Sequence, residues 1–185
     1  MPALRVRLCS MNILRHSEYS DLILVDGYNL LFADKTLKEL SETSLEEARL
    51  RLESLLSGYS LYVKKQIVVI YDGHFVKDNR GDEFTRDNLG IVFTRENETA
   101  DSRIESLSFL LSERFNLTVV TSDFAEQTLV LMNQIERMGS REFLNRLKDS
   151  YKLEKKMHRR KNLATEKNTS DWKEILKEIR ENLEE

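Results

Sequence analysis

An α/β/α sandwich built on a parallel sheet of about four to five strands is the fold this sequence predicts. Three observations carry it. Short runs rich in Val and Ile recur along the chain and are apolar throughout, as strands covered on both faces must be. Helix-length segments with an apolar stripe alternate with those runs, which implies right-handed crossovers. Four acids, Asp26, Asp72, Asp101 and Asp123, stand at or just past the C-terminal ends of the runs, where an open α/β sheet forms its ligand crevice.

The elements follow in order. Leu22 to Val25 is the first expected strand, ending in VDGYN, and Ile67 to Tyr71 the second, ending in YDGH. Between them, Ser44 to about Tyr62 reads as a helix, with Ser44 and Glu47 at capping-box spacing. Gly73 to Asn88 carries seven charges and neither period, so it is expected to be a mobile loop beside the crevice. Gly90 to Phe93 is the third strand, and Thr99 to about Phe115 the helix after it. Thr99 serves as its cap, and Ile104, Leu107, Leu111 and Phe115 form one core-facing stripe. Leu117 to Thr121 is the fourth strand. A helix burying Leu129, Val130 and Met132 should follow Asp123, and Ile135 to Met138 is a weaker fifth strand. The last 45 or so residues are helical in composition, with a break at 162–170 and a final helix from about Asp171.

At 185 residues the chain suits one well-buried domain with appendages. Residues 1–20 read as a disordered extension, or as sequence preceding a start at Met11. Residues 21–150 form the expected domain, and 151–185 a charged helical extension. One cysteine, Cys9, cannot pair within the chain, and no apolar run reaches the ~20 residues of a membrane helix, so a soluble cytoplasmic protein is expected. The net charge of −3 conceals segregation: residues 21–138 carry −8 and residues 139–161 carry +6.

Carboxylates gathered at one sheet edge repel one another unless a cation or proton compensates. All-oxygen ligands without a Cys/His constellation point to Mg²⁺ or Mn²⁺, with no organic cofactor. Such ions polarise a phosphoryl oxygen and activate water. Asp26 is expected as the central ligand, Asp101 and Asp123 as completing the cage, and Asp72 as a ligand or a water-orienting group. Glu98 shares a helix face with Asp101 and is a further metal candidate, although acids at a helix start are favoured by the macrodipole alone. Asn29 can orient a ligand or water, or simply occupy a turn. Ser122 and Thr121 can bind phosphate or cap a helix, and His74 can contact phosphate or lie in solvent. Tyr62, Phe75 and Phe84 can stack on bases, but packing is the preferred reading of each.

Lys148, Lys152, Lys155, Lys156, Arg159 and Arg160 recur at three- and four-residue steps, which on a helix makes a cationic stripe suited to RNA, with Leu144, Leu147 and Tyr151 toward the other side. A solvated charged helix is the plainer alternative.

Taken together, VDGYN at 25–29, YDGH at 71–74, FTRENETAD at 93–101 and TSDFAEQ at 121–127 resemble the YacP-like group of NYN ribonucleases, which are PIN-like. The resemblance spans roughly Asp21 to Tyr151. It implies a PIN-like sandwich and Mg²⁺- or Mn²⁺-dependent endonucleolytic cleavage of messenger RNA in the ribosomal A site. It matches Asp26, Asp72, Asp101 and Asp123 to the family's acids and Asn29 to its asparagine. The group usually carries Asp-Gly before the tyrosine, as here, so no further asparagine is expected. Residues 1–20 have no counterpart.

A catalytically silent RNA- or ribosome-binding factor is the competing reading, but a binding module has no need of four mutually repelling acids. A haloacid-type phosphatase would show DxD where this chain has Asp26, Gly27 and Tyr28, and a phospho-acceptor receiver would pair acids at its first strand. Neither pattern is present.

Overall fold

The computed structural model describes residues 19–75, 81–122 and 135–153. Six strands form one sheet: β1 (Asp21–Asp26), β2 (Gln66–Tyr71), β3 (Glu83–Arg86), β4 (Leu89–Phe93), β5 (Asn116–Val120) and β6 (Glu136–Met138). Their order is β3-β4-β2-β1-β5-β6, and every neighbouring pair is parallel except β3 with β4. The helices are α1 (Gly27–Ala33), α2 (Lys35–Thr43), α3 (Leu45–Val63), α4 (Ala100–Leu111) and α5, which begins at residue 140. The chain divides into two units, Met1–Leu147 and Lys148–Glu185.

Alternation along the strands builds the layers. Ile23 and Val25 of β1, with Ile67, Val69 and Tyr71 of β2, face a core closed by Leu30 and Leu31 of α1, Leu52 and Leu56 of α3, and Phe143, Leu144 and Leu147 of α5. Leu22, Leu24, Val68 and Ile70 face the other way, onto Ile104, Leu107 and Leu111 of α4 and onto Phe115. Covered on both sides, β1 and β2 are apolar throughout their interiors, Leu22–Val25 and Ile67–Ile70, and each such Leu, Ile or Val stabilises the fold by about 1.5–3 kcal/mol. Gly27 lies where any side chain would overlap the Tyr71 ring and Val69, so α1 can leave β1 this tightly only with glycine there.

The expected strands and the expected α3 and α4 all form, and the weaker fifth strand forms as β6 beside β5. Both anticipated caps are present: Ser44 accepts from the Glu47 N–H, and Thr99 from the Ser102 N–H. Helix α4 stops at Leu111, and Phe115 still reaches the core from the turn that follows.

The stretch from Gly73 to Asn88 corrects the expectation of an irregular loop. Gly73–Phe75 forms a 3-10 turn, and Glu83–Arg86 is a strand antiparallel to β4. Asp87 turns that hairpin at φ 54°, a region short polar side chains tolerate. With one neighbour and exposed side chains, β3 never acquires the all-apolar signature of the inner strands. Helices α1 and α2 are additions to the elements expected from sequence. Residues 1–18, the segment from Asp123 with Leu129, Val130 and Met132, and the break and final helix near 162–171 lie outside the described residues. Among the described residues no helix is long and apolar enough to cross a membrane.

Candidate active site

The chain runs outward from β1 through β2 to β4, then returns to the other side of β1 as β5. Strand order therefore reverses between β1 and β5, and a crevice opens at the C-terminal ends there. A cleft of about 800 Å³ occupies it, lined among others by Asp26, Asn29, Asp72, Asp101, Ser122 and Arg141.

Asp26 ends β1 and caps α1, its carboxylate accepting from the Asn29 N–H at 3.0 Å. It is only 9% exposed. Burial pushes its pKa up to about 6, with the negative charges of Asp101 and Asp72 adding and the Asn29 N–H opposing. Asp72 follows β2; its Oδ1 accepts from Thr94 Oγ1 at 3.3 Å and lies 3.0 Å from Nδ1 of the exposed His74. Thr94 Oγ1 in turn accepts from the Gly73 N–H at 2.9 Å, tying the Asp72 loop to the end of β4. Asp101 reaches the cleft from the first turn of α4.

Asn29 spans the switch point. Its Nδ2 donates to Thr121 Oγ1 at the end of β5, and its Oδ1 accepts from Ser140 Oγ at the start of α5, each at 3.4 Å. One side chain thus joins three elements beside Asp26.

The sequence-derived set meets this geometry unevenly. Asp26, Asp72, Asp101, Asn29 and Ser122 share the cleft. Glu98 does not line it: its carboxylate accepts from the Arg95 N–H and from Arg103, which also pairs with Glu83. Thr121 directs its hydroxyl to Asn29, and His74 contacts Asp72. Leu144 and Leu147 are buried, whereas Tyr151 is half exposed. Lys152 pairs with Asp149 at 3.1 Å, and Lys148 is exposed. Asp123, Lys155, Lys156, Arg159 and Arg160 lie outside the described residues. Missed from the sequence were Arg141 and the aromatic residues Tyr28 and Phe32. Tyr28 and Phe32 are four apart on α1, a spacing that would have paired them had the helix been recognised.

Among the described residues no three Asp, Glu, His or Cys side chains close on a single point as a ready metal cage. The donor chemistry nonetheless fits a hard cation. Asp26, Asp72 and Asp101 supply only oxygen, and their mutual repulsion on a buried Asp26 is the imbalance a divalent ion relieves.

A family model described as the YacP-like NYN domain matches residues 23–185. The chain belongs to the YacP-like NYN family. Uncharacterized protein YacP of Bacillus subtilis (strain 168) is 33% identical over 141 residues, covering 76% of this chain and 81% of that protein. The crystal structure of Rae1 (YacP) from Bacillus subtilis matches with a TM-score of 0.64 at 32% identity, over 89% of this chain and 92% of that one. A crystal structure of a mutant of that same protein matches with a TM-score of 0.62 at 35% identity, over 76% and 80%. The YacP-like NYN fold is thus shared, and membership places the chain among nuclease-type proteins whose class generally uses divalent metals.

Proposed function

We propose that this chain is a cytoplasmic Mg²⁺- or Mn²⁺-dependent endoribonuclease that cleaves messenger RNA in association with the ribosome, at its A site. The observation that carries the reading is Asp26: a buried carboxylate at the end of the central strand, pushed toward protonation, with Asp72 and Asp101 lining the same cleft. A buried charge of that kind is costly without a compensating cation.

Asp26, Asp72 and Asp101 would hold the ion, joined by Asp123 from the TSD motif. The ion would supply Lewis-acid polarisation of the phosphate and a lowered pKa for water. The remaining work falls to the chain. Asn29 fixes Asp26 through its backbone N–H and, through its side chain, keeps the ends of β1 and β5 together. Ser122 offers a hydroxyl to a phosphate oxygen, and Arg141 is a cation on a cleft wall otherwise rich in carboxylates. His74 sits against Asp72, where it can donate to a phosphate oxygen or limit the motion of that carboxylate. In hydrolysis the water oxygen bonds to phosphorus as the bond to the leaving ribose oxygen breaks, and that oxygen takes up a proton.

Ribosome association is supported by the charge segregation. A body of −8 approaches a polyanion poorly, and the stripe of Lys148, Lys152, Lys155, Lys156, Arg159 and Arg160 offers the opposite sign.

The test is cleavage-end mapping of messenger RNA in a reconstituted translation reaction with Mg²⁺, comparing the natural chain with Asp26→Asn and including free RNA. New ends made only by the natural chain, and only on ribosome-bound RNA, are expected. Ribosome binding with no new ends would replace this reading with that of a silent binding factor.

A further inference from the structure

Phe32 and Phe75 are 44% and 53% exposed, although the fold has two cores that bury rings of this size elsewhere. Both line the carboxylate cleft and pack on the same anchor, Tyr28. Tyr28 is nearly buried, tilted against Tyr71 at 5.1 Å, and its hydroxyl accepts from Arg49 Nη1 at 2.9 Å. Phe32 stacks on it with ring centroids 5.9 Å apart and planes 16° from parallel, so one of its faces is turned to Tyr28 and the other away from it. Phe75 meets it edge-on at 4.9 Å.

We propose that Phe32 and Phe75, held on Tyr28, form a stacking platform for an unpaired nucleobase of the strand whose phosphate lies at the carboxylates. The inference rests on the nuclease reading and names how that site recognises single-stranded substrate.

Placement and charge both favour this occupant. Phe32 lies six residues after Asp26 on the helix that Asp26 caps, and Phe75 three residues after Asp72. Each ring is therefore tied through short, ordered backbone to an acid of the site, as a base is tied to its phosphate. The body is strongly acidic, so affinity for a polyanion near the cleft must come partly from contacts that involve no charge, and stacking on an aromatic face is such a contact. A base in a duplex is already stacked on both faces and cannot reach a lateral platform, so the same feature selects unpaired RNA.

The experiment measures binding of short single-stranded oligoribonucleotides, intact or with one abasic nucleotide scanned along them, to the full chain carrying Asp26→Asn. Phe32→Leu and Phe75→Leu, together and singly, are compared with Phe32→Tyr and Phe75→Tyr. One abasic position should weaken binding to the parent by between about fivefold and a hundredfold. The double Leu variant should bind intact RNA weaker by a similar factor, lose its sensitivity to that abasic position and keep the parent's salt dependence, and the Tyr variants should restore binding. Leu variants that bind as the parent does, or that retain the abasic penalty, overturn the platform. So does a fall in unfolding midpoint with unchanged binding, which would make the rings a docking face for another part of this chain. The cleavage-end assay separates the two failures. If the natural chain cuts and the Leu variants cut equally well, only the platform fails. If the natural chain neither cuts nor binds, the nuclease reading fails with it.

Discussion

Asp26 accepts a hydrogen bond from the backbone N–H of Asn29 at 3.0 Å, so the acid that ends the central strand also caps the helix after it. The cap holds the Asp26 side chain in one orientation, at the cost of burying a charge near Asp72 and Asp101. Strand, helix and site are therefore coupled through one carboxylate.

Asp26→Asn should abolish cleavage while preserving the fold. Asparagine caps helices about as well as aspartate, so α1 should persist. Loss of several kcal/mol of metal-derived stabilisation corresponds to a rate lower by about a hundredfold or more. Steady-state cleavage and circular dichroism on the same preparation check both halves, and full activity in the variant would remove Asp26 from the mechanism.

Without metal, stability should fall as pH rises from about 4 to 6. The folded-state pKa of Asp26 is raised from 3.8 to about 6, so within this window the native state holds a proton that the unfolded state has released. The loss is complete above the folded value and amounts to no more than about 3 kcal/mol at 1.36 kcal/mol per unit. Urea unfolding in EDTA at pH 4 and pH 7 should show a larger decline in the natural chain than in Asp26→Asn, where only groups such as Glu53, also raised by burial, still contribute. Adding Mg²⁺ at pH 7 should raise the midpoint of the natural chain alone.

Asn29→Ala should lower kcat about 10- to 100-fold, as expected when a residue that orients a ligand is lost. It leaves Asp26 in place but removes the side-chain bonds to Thr121 and Ser140 across the β1/β5 switch point. Stability should drop by about 1–2 kcal/mol in denaturant titration. A stability loss with unchanged kcat would make Asn29 purely structural.

Replacing Lys152, Lys155, Lys156 and Arg159 with Glu should weaken association with RNA or ribosomes and flatten its dependence on salt, because each phosphate contact releases counterions. Binding measured across a salt series separates this from the aromatic platform, whose loss should leave the slope unchanged. An unaltered slope would remove these residues from the binding surface.

The parts of the fold legible in the sequence were those with a repeating physical signature. β1, β2, β4 and β5 are buried on both faces, and Ile104, Leu107 and Leu111 recur at helical spacing under a Thr99 cap. Helix α1 was hidden because its apolar Tyr28, Leu30 and Leu31 extend the run of β1 and its cap is itself the last strand residue. β3 was hidden by its exposure at the sheet edge. Within the site, Asp26 and Asp72 were legible as acids ending apolar runs. For Glu98, helix periodicity gives the face it shares with Asp101 but says nothing of Arg103 and the Arg95 N–H, which engage it.

The sequence by itself determined the four inner strands of the sheet, the strand ends that carry acids, and the family, because buried strands and short motifs are local patterns of residue type. Only the tertiary structure decided that Asn29 bridges β5 and α5, that Arg141 enters the cleft, and that Phe32 and Phe75 meet on Tyr28 beside it. Apart from the Tyr28–Phe32 pair on one helix, those relations join residues far apart along the chain, and their geometry depends on strand order and helix packing, which no local spacing encodes.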